Sequence, residues 1–369
     1  MKALIVTIND GVNYNYGNKL QNLAIVTVMR KLGIDSETLN FEMVSDKDSL
    51  SKIMKSILMK VTGYRIAKSE SSKIYWKYGR KRIKNFRIFR DKYLKQHNDL
   101  KLNDSDGYDY YIIGSDQVWN PEFFKYHKLK KNAYLLKFCK ESDKKICFSP
   151  SFGISELPDE WKPYFRKYIS MIPKISVREN EGADIVRELT GKDATVLIDP
   201  TLMLSAKDWI KYASKPKNID TTKKYLLTYF LGEVSPEIKE YINSVAKENN
   251  LEIYNLLDPS QPDLYFSGPS EFIYLISKAS IVMTDSFHAC VFSFIFKKPF
   301  NVFNRKSKYS DMSSRLDTFL GKFGLSSRKG VINNHADLFV TDYDESYRIL
   351  KKERRKVLDY LSDSMHLDG

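Results

Sequence analysis

The 369-residue chain has five histidines, and one stands apart. His97, His127, His335 and His366 lie in polar stretches. His288 lies in Thr284-Asp285-Ser286-Phe287-His288-Ala289, between an apolar strand pattern and an apolar helix pattern. A histidine at a helix start can meet an anion and exchange a proton near neutral pH. Ser286 is a natural N-cap there, and Asp285 can orient an imidazole. The plainer alternative is a core histidine bonded to a backbone carbonyl; the strand-end position weighs toward function. Arg178, in Ser176-Val177-Arg178-Glu179-Asn180, leaves an apolar strand at its carboxyl end. A guanidinium there suits carboxylate or phosphate recognition, the alternative being an ion pair with Glu179 or Glu181.

Three further polar groups follow predicted strands. Asn15-Tyr16-Gly17-Asn18-Lys19-Leu20-Gln21 opens the first helix, where Gly17 lets backbone approach a ligand; a plain turn with an Asn cap is the alternative. Gly114-Ser115-Asp116-Gln117-Val118-Trp119-Asn120-Pro121 offers Asp116, Gln117 and Asn120 to sugar hydroxyls, with Trp119 as an apolar platform. A loop anchored by a buried Trp competes evenly with that reading. Asn304-Arg305-Lys306-Ser307-Lys308, with Ser313-Ser314-Arg315 behind it, can neutralise a phosphate or be a solvated loop. Hydrolase spacing, metal-ligand clusters, a P-loop and GxGxxG are absent. By themselves these residues imply an anionic ligand in a two-domain α/β cleft.

The elements that must position them alternate. Strand patterns at 3–8, 36–41, 108–113, 145–149, 174–177 and 195–198 are interleaved with helix patterns at 17–32, 159–169 and 179–189. Residues 201–222 lose the alternation. It restarts with strands at 225–230, 252–256, 281–284 and 300–303 and helices at 235–248, 271–278, 287–296, 312–323 and 347–361. Such alternation predicts parallel sheets covered on both faces, with ligands outside the carboxyl ends of the strands. We therefore expect a first domain over 1–205, a second over 206–345, and a terminal helix over 346–369 packing back on the first.

Charge is uneven. The net charge is +14, and residues 52–95 hold 15 basic against two acidic side chains. This basic helical insert (48–96) has apolar stripes at Ile53, Met54, Ile57, Leu58 and Val61, and at Trp76, Ile83, Phe86, Phe89 and Tyr93. Two amphipathic helices are predicted, packing on the domain or lying against anionic lipid; nucleic acid ranks last because the aromatics fit a buried stripe. No apolar run reaches the ~18 residues of a spanning helix. Three scattered cysteines suggest neither disulfides nor zinc. A cytoplasmic protein, peripheral at the membrane through its basic helices, is expected.

At these residues the chain resembles the polysaccharide pyruvyl transferase family. The resemblance is carried by Asn15-Tyr16-Gly17 with Leu20-Gln21, by the 114–120 motif, by Ser176-Val177-Arg178-Glu179, by Asp285-Ser286-Phe287-His288 and by Asp199-Pro200-Thr201-Leu202, in the family's order. It implies two Rossmann-like domains around a central cleft, glycosyltransferase-B-like. It also implies transfer of the enolpyruvyl unit of phosphoenolpyruvate onto two hydroxyls of one sugar, giving a pyruvate ketal and phosphate, with no cofactor and no metal. The acceptor is a sugar in a cell-surface polysaccharide or a lipid-linked precursor. Arg178 and His288 match the family's donor-binding, catalytic Arg and His. Lys308 matches a later donor-site Lys by spacing, with Lys306 as the fallback. Many members carry an Arg where this chain has Ser286, so Arg305 or Arg315 is expected to take over its anion contacts. Asn15, Tyr16, Gly17, Asp116, Gln117, Trp119 and Asn120 fall on the acceptor side. The alternatives are a nucleotide-sugar glycosyltransferase of the same architecture and a non-catalytic binder of anionic ligands or membrane surfaces.

Overall fold

A computed structural model describes residues 1–9, 15–41, 79–99, 107–123, 128–305, 314–332 and 334–367. Two parallel sheets organise them. The first has the order β3-β2-β1-β4-β5, from β1 (Lys2–Val6), β2 (Asp35–Leu39), β3 (Gln96–His97), β4 (Tyr110–Ile113) and β5 (Lys145–Cys147). The second has the order β11-β10-β8-β9, from β8 (Tyr225–Tyr229), β9 (Glu252–Asn255), β10 (Ile281–Thr284) and β11 (Phe300–Val302). A two-stranded pair, β6 (Ser176–Val177) with β7 (Thr195–Val196), completes the set. All described strand pairs are parallel. Both larger sheets run outward from a central strand in one direction and then the other, so each has a switch point: β1/β4 in the first, β8/β10 in the second. The fold is α/β with two Rossmann-like units.

Helix α1 (Tyr16–Lys31) lies at their junction. Asn15 caps it, its Oδ1 accepting from the Gly17 N–H at 2.9 Å. Every residue from Tyr16 to Met29 is buried, including Asn18, Lys19, Gln21 and Asn22. A helix buried on all sides needs neighbours on all sides. The first sheet supplies one through Gln21 Nε2, which donates to Thr7 Oγ1 at 2.8 Å, and through Thr38 Oγ1, which donates to Asn22 Oδ1 at 3.0 Å. The second unit supplies another: the Tyr16 ring stacks on Phe272 with centroids 4.2 Å apart, and its hydroxyl donates to Ser267 O at 2.9 Å. One apolar cluster thus runs from Ala3 and Ile5 through α1 to Tyr229, Phe272 and Phe292.

Of the two helices predicted in the basic insert, the one near 53–61 lies outside the described residues. The other is α2 (Arg80–Tyr93), which buries Phe86 and Phe89 as its stripe predicts. Arg82 breaks the expectation of a solvated basic face. It is fully buried, donates from Nη1 to the carbonyls of Leu256 and Tyr265, and lies over the rings of Tyr16, Phe86 and Tyr265. Within 201–222, read as irregular, Ser205 and Asp208 form a capping box that starts a short helix, Ala206–Ile210. The remaining helices used below are α3 (Asn180–Thr190), α4 (Pro269–Lys278), α5 (Phe287–Ile295), α6 (Ser314–Lys322) and α7 (Asp344–Ser364). α7 touches both units: Arg354 donates to Leu202 O and Leu204 O, and Tyr347 donates to Ile295 O. Among the described residues no helix is long and apolar enough to cross a membrane.

Candidate active site

The carboxyl ends of β4, β6, β7 and β10 deliver one buried cluster. Arg178, one residue beyond β6, is fixed by its backbone N–H, which donates to Pro150 O at 3.1 Å. Its Nη1 donates to Asp199 Oδ2 at 2.6 Å and to Ser115 Oγ at 3.4 Å. Asp116 Oδ1 lies 3.7 Å from Nη2, and Glu179 Oε2 lies 4.0 Å from Nε. Those distances exceed a hydrogen bond, so Nε and Nη2 are buried without an acceptor. Burial works against the Arg178 charge, but Asp199, Asp116 and Glu179 outweigh it and raise its pKa above the ordinary value.

Asp199 is the hub. Its Oδ1 accepts from the backbone N–H and the hydroxyl of Thr201, at 2.9 and 2.6 Å. Its Oδ2 faces Arg178 and lies 3.5 Å from His288 Nε2. Burial would raise its pKa; His288, Arg178 and Thr201 outweigh that and hold the carboxyl well below the usual range.

His288 is the second residue of α5, and its buried Nε2 has no hydrogen-bond partner. The ring lies against Gly17 so closely that a Cβ there would fall 2.0 Å from Nδ1. Gly17 therefore admits the imidazole rather than a ligand backbone contact. Asp285 does not orient the ring, as the sequence suggested. It accepts from the Leu231 and Gly232 N–H groups at 2.7 and 2.8 Å and pairs with Arg305 Nε at 3.2 Å. Ser286 is the N-cap by position, but its side chain makes no cap bond.

Arg315, read as one member of a short charge run, is buried on α6. Its Nη1 lies 3.7 Å from Asp116 Oδ1. Burial and the neighbouring Arg178 lower its pKa to about 10. The Phe287 ring faces both cations, with Arg178 Cζ 4.8 Å and Arg315 Cζ 6.0 Å from its centroid. Asp116, set at φ 72°, also accepts from the Asn18 amide. Aspartate tolerates this left-handed conformation, which turns the chain toward Gln117 beyond the end of β4. The structure thus brings together Arg178, His288, Arg315 and Asp116. It leaves Arg305 on Asp285, and Lys306 and Lys308 lie outside the described residues.

The other acceptor-side candidates have structural tasks. Trp119 is fully buried and donates from Nε1 to Tyr134 O at 3.2 Å, so it is an anchor and not a platform. Asn120 Oδ1 accepts from the Glu122 N–H at 3.0 Å in the turn at Pro121. Gln117 packs on Gly153, whose φ of +65° and 2.0 Å clearance from Nε2 suit only glycine. Tyr16 is buried and Asn15 caps α1. The residues that the sequence left without a role are Asp199, Asn18 and Ser115; Glu179, offered as an ion-pair partner of Arg178, lies 4.0 Å from its Nε. Glu179 Oε1 accepts from Ser151 Oγ and from the Phe152 and Gly153 N–H groups. The available signal for Asp199 was its place after a strand, beside a proline.

No curated protein matches the sequence. Solved structures share its outline at low identity. A UDP-GlcNAc 2-epimerase from Methanocaldococcus jannaschii, in complex with UDP-GlcNAc and UDP, is 12% identical over 98% of this chain and 100% of its own, at a TM-score of 0.44. One from Neisseria meningitidis, bound to UDP-GlcNAc, is 11% identical over the same shares, also at 0.44. The glycosyltransferase of kitacinnamycin is 10% identical over 98% of both chains, at 0.43. The glycosyltransferase-B-like fold rests on the two parallel sheets themselves. The family model of polysaccharide pyruvyl transferases matches residues 15–307, which span α1, Arg178, Asp199 and His288. The chain belongs to the polysaccharide pyruvyl transferase family, whose members are transferases that modify polysaccharides.

Proposed function

We propose that the protein transfers the enolpyruvyl unit of phosphoenolpyruvate to two hydroxyls of a sugar in a cell-surface polysaccharide or its lipid-linked precursor. The observation that carries this reading is Arg178. Its buried Nε and Nη2 have no acceptor, while Nη1 is held by Asp199. Buried donors without partners cost about 1–3 kcal/mol each, more when charged, so they mark a place for an anion. A donor with a carboxylate and a phosphate suits such a site, with Arg178 and the buried Arg315 beside it. His288 adds a group that can carry a proton, and Asp199 Oδ2 lies 3.5 Å from its Nε2 as a counter-charge.

The methylene carbon gains a proton, with the charged imidazole of His288 as the acid. The cation-like carbon is attacked by one sugar hydroxyl, whose proton returns to the imidazole. The second hydroxyl then displaces phosphate and closes the ketal, its proton leaving with the phosphate. General acid work of this kind is worth about 10²–10⁴-fold. Arg178 holds the donor carboxylate, and the cations around Phe287 stabilise the departing phosphate.

The test is a thermal-shift titration with phosphoenolpyruvate and, separately, a nucleotide-sugar panel, on wild type and Arg178→Lys. At ~100 times its dissociation constant a ligand stabilises by about 2.7 kcal/mol. Stabilisation by phosphoenolpyruvate that weakens in Arg178→Lys is expected. Stabilisation by nucleotide sugars alone would transfer the protein to the glycosyltransferase reading. Lys81 and Lys84 of α2 are exposed and could face a membrane surface, whereas Arg82 is buried.

A further inference from the structure

A second concave feature shares no lining residue with the Arg178–His288 cluster. It is a groove of about 610 Å³ between α2, the segment 211–218 and the segment 263–271. Its walls carry Lys81, Lys92, Lys211, Lys215 and Lys217. Two carboxylates oppose these five lysines, Asp263 and Glu271. Glu271 is already engaged: its Oε2 accepts from the Gly268 N–H at 3.0 Å. Lys211 lies 3.5 Å from Asp208. Lys81, Lys92, Lys215 and Lys217 form no ion pair among the described residues.

The groove is held in shape from below. Ser214 N–H donates to Ser270 O at 3.0 Å, Asn85 Nδ2 donates to Phe266 O at 2.6 Å, and the Lys81 ammonium stands 4.0 Å over the Phe266 ring. Like charges gathered in a concavity repel one another and attract a polyanion. Ammonium groups meet phosphate as point charges and lack the planar fork of arginine. The volume accommodates a diphosphate with an attached group.

We propose that this groove binds a diphosphate. The proposal goes beyond the transfer reaction and stands whichever donor that reaction uses. The diphosphate can be soluble or borne on a lipid, and Ile88, 53% exposed on the rim, is placed for the latter.

Calorimetry with inorganic pyrophosphate at low ionic strength tests it. The proteins are wild type, Lys81→Gln/Lys215→Gln, Lys92→Gln/Lys217→Gln and the distant control Lys239→Gln, all checked for fold by circular dichroism. All five positions are exposed, so folding is expected to survive. One pyrophosphate per chain is expected, with affinity at least tenfold weaker in each double variant and unchanged in the control. No binding to wild type, or binding unaltered in both double variants, overturns the proposal. Co-sedimentation with phosphatidylcholine vesicles containing a polyprenyl diphosphate separates the sources. Binding lost in the same variants and displaced by pyrophosphate supports the lipid-borne form, and pyrophosphate binding without vesicle binding supports the soluble form.

Discussion

Replacing Gly17 by alanine should silence the enzyme without removing any group that binds or reacts. The added Cβ would lie 2.0 Å from His288 Nδ1, 2.4 Å from Cε1 and 2.6 Å from Cγ. Ordinary contacts of a Cβ begin near 3.4 Å, so the ring must retreat by more than about an ångström. The imidazole is packed: Gly17 belongs to a helix buried on every side, and Phe287 meets the ring edge-on at 5.1 Å between centroids. Retreat therefore separates His288 Nε2 from Asp199 Oδ2, now 3.5 Å away, and displaces the proton from the reacting carbon. Overpacking of this size costs about 1–3 kcal/mol of stability. The loss of a positioned acid costs about 10²–10⁴-fold in turnover. Donor binding, proposed above to rest on Arg178, should change little. The assay is steady-state phosphate release from phosphoenolpyruvate with an acceptor, beside calorimetric donor affinity. Turnover within threefold of wild type would refute the reasoning, since the ring would then not need the space that Gly17 leaves.

The other expectations are separate measurements. Asp199→Asn keeps the shape but strips the counter-charge from buried Arg178, so a loss of about 3–5 kcal/mol is expected by denaturant titration at pH 7. Because the folded carboxyl is held below its unfolded value of ~3.9, this deficit is full above that pH and closes as the pH falls further; a gap constant down to pH 2 would contradict it. Arg82→Leu leaves the carbonyls of Leu256 and Tyr265 without this donor and should lower stability by about 2–4 kcal/mol; a variant as stable as wild type would return Arg82 to the ordinary surface charges. All three cysteines are buried, with burial raising Cys147 to about 12 and Cys290 well above its ordinary value. A thiol reagent should label none of them in native protein and all of them after unfolding.

The strand and helix periods revealed the two parallel sheets because doubly covered strands are apolar runs, and β1, β4, β8 and β10 are such runs. Strand ends then pointed to Arg178, His288 and Asp116 by rule. What escaped was pairing across the junction. Asp285 stands beside His288 in sequence, yet Asp199 is the carboxylate near the ring, 89 positions away, because β7 and β10 belong to different units that meet only on folding. Arg82 escaped for a related reason. It is basic in a basic stretch, and nothing local distinguishes a guanidinium that will be enclosed by rings and carbonyls from one left in water. Trp119 shows the converse. Its neighbours are sugar-binding in type, but the indole N–H found a backbone carbonyl, and a buried Trp with a satisfied donor has nothing left for a ligand.

The arrangement of charges around Arg178 has a consequence for ligand entry. Asp199 uses only Nη1, while Asp116 and Glu179 stop at 3.7 and 4.0 Å, too far to bond and near enough to hold the guanidinium charged. An entering anion can therefore take Nε and Nη2 without first breaking the pair that binds Arg178 to Asp199. Had all the donors been satisfied, each binding event would have to break a buried ion pair at about 3–5 kcal/mol, which is a thousandfold in affinity. Asp199 can then keep its second task, since its Oδ2 stays between Arg178 and His288 with the anion present. A carboxylate shared in this way stands between the proposed anion-binding residue of one unit and the proposed proton-carrying residue of the other, as counter-charge to both.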